Sequence, residues 1–229
     1  MAPLVELGPV TITDTVVTTW AIIALIWLVT WLLSRRLRMD PGPVQTAAEG
    51  IVSAIDEAIA AVAPEHSTRI LPFVGTLWIF LVIANLTGLI PGAHSPTRDL
   101  SATAALAFLV FLSTLWYGIR IQGLKNYLRH YLTPSPILLP FNLIGEITRT
   151  VALAVRLFGN MMSLEMAALL ILLVAGFLAP VPILMLHIIE ALVQAYIFAV
   201  LAMVFITSAV EQGTPNSAKT DLTLKKKDT

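Results

Sequence analysis

The sequence predicts an all-α integral membrane protein: five transmembrane segments, one amphipathic surface helix, and a long, steeply tilted C-terminal helical hairpin. Three observations predict it. Of the 229 residues, 57% are hydrophobic and only 12% charged, about half the charged fraction of a soluble domain. Five apolar runs are each long enough to cross ~30 Å of hydrocarbon, which takes about 20 helical residues. The basic residues between those runs fall almost entirely on one side.

The first span is 15–34. No basic residue precedes it, and it ends in "SRRLR" rather than a small-residue cleavage site, so it reads as a retained span with a cytoplasmic anchor. Residues 44–62 carry Val44, Ala48, Ile51, Ile55, Ile59 and Val62 on one stripe, opposite Gln45, Glu49, Ser53 and Asp56. That pattern predicts a helix lying on the inner surface. Its polar face is acidic, whereas lipid-surface helices favour Lys and Arg; contact with a protein partner is expected, the alternative being a loop-packing helix. Spans at 70–90 and 101–119 flank the proline-punctuated turn "IPGAHSPTRD" (90–99). The last two spans are 137–178 and 183–210, with "APVP" (179–182) turning the chain between them. Residues 1–212 form one membrane domain, and 213–229 a polar tail expected to be disordered.

Five crossings place the two ends on opposite sides. With the N-terminus outside, eleven basic residues lie inside: Arg35, Arg36, Arg38, Arg69, Arg120, Lys125, Arg129, Lys219 and Lys225 to Lys227. Arg98 alone lies outside, while Arg149 and Arg156 lie within a span. The positive-inside rule therefore orients the chain N-out, C-in. The absence of cysteine excludes disulfides and thiolate metal sites. No phosphate-binding loop or basic–aromatic patch is present, so neither a nucleotide cofactor nor nucleic acid is expected.

The fourth segment is too long for a simple span. Residues 141–179 contain no proline, and a continuous helix would measure about 58 Å. It must be broken, at Gly145 or Gly159, or inclined near ~60°, beyond the usual range. Polar residues recur along it. Glu146, Arg149, Leu153, Arg156 and Asn160 follow three- and four-residue steps and share a face, and Glu146 can pair with Arg149. Glu165 lies nine residues beyond Arg156. On the last span His187, Glu190, Gln194 and Tyr196 interrupt the apolar run.

An arginine at mid-membrane is unfavourable by about 2.5–3.5 kcal/mol on insertion scales, and Arg156 has no acidic residue within eight positions. Plain readings exist: a snorkelling Arg156 or one paired with Glu190, a structural Glu146–Arg149 pair, an Asn160 bonded to a neighbouring helix, a His187 satisfied in the core. A metal site from Glu165, His187 and Glu190 would have one reversed copy of a motif that helix bundles use in matched pairs. The ion-conduction reading explains more of the pattern. Glu165 and His187, on opposite arms, would line a polar route from outside to mid-membrane, with Glu146 and Arg149 on the inner side. A fixed cation between two half-routes blocks a direct leak, so a carboxylate on a partner must carry the ion around it. A self-contained transporter would be expected to show repeats around a midplane site, and none is found.

"RLFGNM" (156–161), Glu165, and "QAYIFAVLAMVF" (194–205) together resemble subunit a of F-type ATP synthases; "NLTGLIPG" (85–92) and "PFNLIGEITRTVALAVR" (140–156) extend the likeness over about residues 65–212. The resemblance implies a stator subunit that faces a ring of c subunits and couples H+ or Na+ movement to its rotation. It also implies peripheral-stalk b subunits and the rest of the synthase as partners, and the bacterial inner membrane as the location. By the same resemblance Arg156 faces the c-ring carboxylate, Glu165 and His187 occupy the outer half-channel, and Asn160 and Gln194 line the site near the arginine. Arg149 falls where the family has a basic residue seven before it. Glu146 and Glu190 complete the expected ion-translocation set.

Overall fold

The computed structural model describes residues 3–7, 10–35, 42–62, 64, 67–90, 95–123, 138–175 and 181–211. Among the described residues six α-helices carry the architecture: α1 (Asp14–Ser34), α2 (Pro43–Val62), α3 (Ser67–Leu86), α4 (Leu100–Gln122), α5 (Leu138–Ala175) and α6 (Val181–Glu211). All but α2 are long and apolar enough to cross a membrane. The five expected spans are therefore present, with α2 as the additional amphipathic helix. A short antiparallel hairpin, β1 (Pro3–Leu7) and β2 (Val10–Thr13), precedes α1 with Leu7 opposite Val10. Sequence reasoning did not anticipate it. The first half of the "APVP" turn (179–180) and the whole 213–229 tail lie outside the described residues, while Val181 and Pro182 begin α6.

The long segment is one unbroken helix. α5 runs through both Gly145 and Gly159 for 38 residues, so the broken-helix alternative is wrong: neither glycine is used as a hinge. A helix of that length spans about 57 Å and fits ~30 Å of hydrocarbon only when strongly inclined. Its partner α6 permits close approach because Ala191, Ala195, Ala199 and Ala202 recur at three- and four-residue steps and are all buried.

Two apolar clusters hold the bundle together. One joins α3, α4, α5 and α6 through Leu81, Val110, Leu157 and Phe198; the other joins α2, α3 and α6 through Ile59, Val74, Met203 and Ile206. Helix α2 thus docks on the bundle by Ile55 and Ile59, while Val44 and Ile51 on the same stripe stay exposed. Its C-terminal half packs on helices of its own chain, which neither the partner-contact nor the loop-packing expectation described.

Helix α1 stands apart. Ile22 is its one buried residue among those described, and Trp20 and Trp27 are exposed. At its end Trp31 stacks on Trp27, and the Arg35 guanidinium carbon sits 3.9 Å from the Trp31 ring centroid, an amphipathic cap suited to a membrane interface. Between α1, α3 and α4 lies an apolar cleft of about 890 Å3, lined by residues such as Trp20, Ile23, Phe73 and Leu77.

Candidate functional site

The polar residues of the hairpin are arranged around its buried seam. Leu153, Leu157, Met161 and Leu164 of α5 and Ala191, Gln194, Ala195 and Phe198 of α6 are all buried, and Leu153, Leu157, Ala195 and Phe198 share one apolar cluster. Asn160 bridges the seam, its Nδ2 donating to Gln194 Oε1 at 2.7 Å. Gln194 is 2% exposed, and its own Nε2 has no hydrogen-bond partner. A buried, unsatisfied amide donor is unfavourable by about 1–3 kcal/mol, so this position invites an acceptor.

Arg156 lies one turn before Asn160 yet is exposed. The stripe of three- and four-residue steps straddles the seam's edge: Leu153 falls inside it and Arg156 just outside. Around Arg156 the surface is apolar, with Val151, Val155 and Met162 all exposed. Among the described residues no carboxylate pairs with Arg156. The internal Arg156–Glu190 pair is therefore not formed, and Arg156 is too central in α5 to reach either end easily.

On the far side of Arg156 from Glu165, Glu146 is half-buried and Arg149 exposed. They form no ion pair with each other. The Arg149 guanidinium carbon instead stands 5.8 Å from the Phe205 ring centroid, within cation–π range. The anticipated structural ion pair is thus replaced by a contact to α6. Glu190 is half-buried on α6, between His187 and Gln194.

At the opposite end of the hairpin the arrangement is richer than expected. Glu165 accepts a hydrogen bond from the Nη1 of Arg98, forming an ion pair in which both side chains are about one-third exposed. Arg98 comes from the short 3-10 turn Pro96–Arg98 that leads into α4. His187 is 6% exposed, and its Nε2 has no hydrogen-bond partner. Gly88 stands beside it: a Cβ built there would lie 3.6 Å from that nitrogen and 3.2 Å from the Ser95 Cβ. An added Cβ would crowd Ser95 and make ordinary contact with His187.

Buried polar side chains fasten this end. Asn85, wholly buried on α3, donates through Nδ2 to the Ala191 carbonyl at 3.1 Å and accepts from Thr97 Oγ1 at 2.8 Å. Ser95 Oγ lies 2.6 Å from Thr97 Oγ1 and donates to the Ala84 carbonyl at 2.8 Å, satisfying one of the carbonyls that α3 leaves unpaired at its end. Asp99 caps α4 by accepting from the Ser101 backbone N–H at 3.0 Å and its hydroxyl at 2.9 Å; Thr15 of α1 donates to its other oxygen at 3.0 Å. Burial pushes the Asp99 carboxyl up, but these bonds together with the Arg98 cation outweigh it and hold it below the usual carboxylate range.

Sequence reasoning missed Asn85, Ser95, Thr97, Arg98 and Asp99 as site residues. Arg98 was the most legible, being the single outside exception to the charge count. Among the described residues no three His, Cys, Asp or Glu side chains stand close enough to hold a metal.

The profile of the family described as ATP synthase A chain matches residues 16–207. "ATP synthase subunit a 2" of Pelobacter propionicus is 64% identical over 208 residues, covering 91% of each chain. "ATP synthase subunit a 1" of Hahella chejuensis is 61% identical, over 91% of this chain and 89% of its own. "ATP synthase subunit a" of Legionella pneumophila is 52% identical over 90% of both.

Proposed function

Because the chain belongs to the ATP synthase A chain family, we propose that it is the membrane stator subunit that passes protons or sodium ions between two half-routes beside a rotating c ring. It performs no bond chemistry of its own; its partners are the c ring, the peripheral-stalk b subunits, the rest of the synthase and membrane lipid.

The observation that carries this reading is Arg156: an exposed, unpaired guanidinium at the middle of an apolar helix face. Left facing lipid, such a group is strongly unfavourable. Opposite a partner carboxylate it becomes a charge-assisted contact. The exposed apolar residues around it on α5, Val151, Val155 and Met162, are suited to contact with another helix.

An ion enters at the end marked by Glu165 and His187 and loads a ring carboxylate. Rotation brings that carboxylate to Arg156, whose fixed charge favours the ionised form, and the ion leaves on the side of Glu146 and Arg149. Asn160 and Gln194 hold the seam beside the arginine. Glu190 is assigned to the route between His187 and Gln194. The same charge closes the direct path between the half-routes, so ions cross only by turning the ring.

The N-terminus is assigned to the outside of the bacterial inner membrane and the C-terminus to the cytoplasm. Cysteines at Ile90, which is exposed, and at Lys219 should label from opposite sides; labelling from one side would overturn the topology. The function itself is tested with Arg156→Ala in inverted vesicles. ATP-driven pumping should fail while passive ion leak through the assembled complex rises. Normal pumping by that complex would leave Arg156 a structural residue and sink the proposal.

A further inference from the structure

We infer that Arg98 is a positioning residue for the outer half-route, a built-in counter-cation that occupies Glu165 and that each entering ion must displace. The inference rests on the stator reading above and concerns that same route.

Four observations converge on it. Arg98 breaks the eleven-to-one segregation of basic residues, being the single one predicted outside. Its guanidinium pairs with Glu165, 67 residues away in sequence. The turn that presents it is pinned: Thr97 beside it is wholly buried and bonded to Asn85, and Asp99 on its other side is tied to Thr15 and Ser101. The pair is also only partly covered, each side chain about one-third exposed, so it can open. A pair sealed in the core would be structural; one held in place yet reachable is suited to exchange.

The consequence is competition. A carboxylate that is already neutralised attracts an incoming cation less than a bare one, so Arg98 weakens ion capture at the outer mouth. It also offers Glu165 a partner when the ion moves on, which hastens release. Among the described residues, the ionisable groups on the elements around this turn are Asp14 at the start of α1, Asp99 at the cap of α4, Glu165 on α5 and His187 on α6. The proposed exchange runs through Glu165 alone.

The test uses the whole synthase in proteoliposomes, oriented so that the outer route opens to the lumen. ATP synthesis is driven by a fixed potassium diffusion potential while luminal pH, and separately luminal sodium, is varied. Whichever ion saturates the rate is the one carried. Arg98→Gln should lower the half-saturating ion concentration about two- to fivefold, as expected for releasing a partly exposed pair, with the maximal rate changed less than about twofold. For protons this is a shift of the half-maximum to higher luminal pH by about 0.3–0.7 unit. Arg98→Lys keeps the charge but loses the planar fork, and should shift the midpoint in the same direction by less. In a Glu165→Gln background, Arg98→Gln should produce no further shift.

An assembled Arg98→Gln synthase with an unchanged midpoint would overturn the inference, as would a fall in maximal rate alone, the mark of a merely structural pair. If Arg98→Gln fails to assemble, an unshifted midpoint in Arg98→Lys overturns it equally. A Glu165→Gln synthase with wild-type rate and midpoint would instead show that the outer route lies elsewhere, and the stator reading of Glu165 would fail with it.

Discussion

The two ends of the polar stripe on α5 treat charge in opposite ways. At the Glu165 end the charged groups described are satisfied within the chain: Glu165 by Arg98, and Asp99 by Thr15 and Ser101. At mid-helix Arg156 has no carboxylate partner and faces outward among exposed valine and methionine side chains. One region pairs its carboxylates within the chain, while the other leaves Arg156 without a carboxylate, for the neighbouring chain proposed above. Substitutions at Arg156 should therefore act mainly on coupling with that neighbour. Those at the Glu165 end should act on ion entry and on the stability of this subunit.

The largest expected effect is at Arg156. Arg156→Ala should reduce coupled transport by about a hundredfold or more, the scale for losing a preorganised charge, with little change in this subunit's own stability. Arg156→Lys should limit the leak yet restore little coupling, since a compact ammonium cannot reproduce the fork. Flux in vesicles, read with and without ATP, separates the two. Wild-type coupling in the lysine variant would show that charge alone is enough.

Next come Glu165→Gln and His187→Ala, each expected to slow flux about tenfold in an intact complex, within the range for one polar group in a proton path. The double variant should fall short of the product of the singles, because both act on one route. Multiplicative losses would separate them into independent sites.

Smaller again is the seam bond. A double-mutant cycle of Asn160→Ala and Gln194→Ala, read by thermal unfolding in detergent, should give a coupling of about 0.6–1.7 kcal/mol. A coupling near zero would mean that the bridge is incidental to hairpin packing.

The smallest effect sharpens the comparison from the Glu165 end. Asp99→Ala should destabilise α4 by about 1 kcal/mol, the usual loss for an N-cap. Because folding holds the Asp99 carboxyl below its ordinary value of 3.8, its contribution is fully present above the unfolded value and lost as pH falls through the folded one. Wild-type protein should thus lose this increment on acidification below about pH 4, and Asp99→Asn should not. Parallel acid curves for the two would remove Asp99 from the account.

Much of this molecule was legible without coordinates, because a bilayer leaves a chain few choices. Unpaired backbone groups are excluded from hydrocarbon, so five apolar runs had to become five helices, and the stripe Val44 to Val62 had to become a sixth. Arg156, Asn160, Gln194, Glu165 and His187 announced themselves as polar groups where apolar ones are the rule. The N-terminal hairpin did not, since Pro3–Thr13 is a short segment with no strong alternation to mark it.

Pairing was the part that only tertiary structure decided. Spacing allowed Glu146 to meet Arg149 and Glu190 to meet Arg156, but helix rotation and tilt sent Arg149 towards Phe205 and left Arg156 outside the seam. Glu165 found its cation on a turn 67 residues earlier in the chain, and Asn85 reached across to the backbone of Ala191. Whether Gly145 and Gly159 would break α5 was likewise undecidable locally, because glycine weakens a helix by only about 1 kcal/mol and packing against α4 and α6 outweighs that. Local sequence sets which residues are helical and which are polar out of place. Which of those polar groups meet depends on the rotation and register of packed helices, and these are set jointly by every residue in the seams.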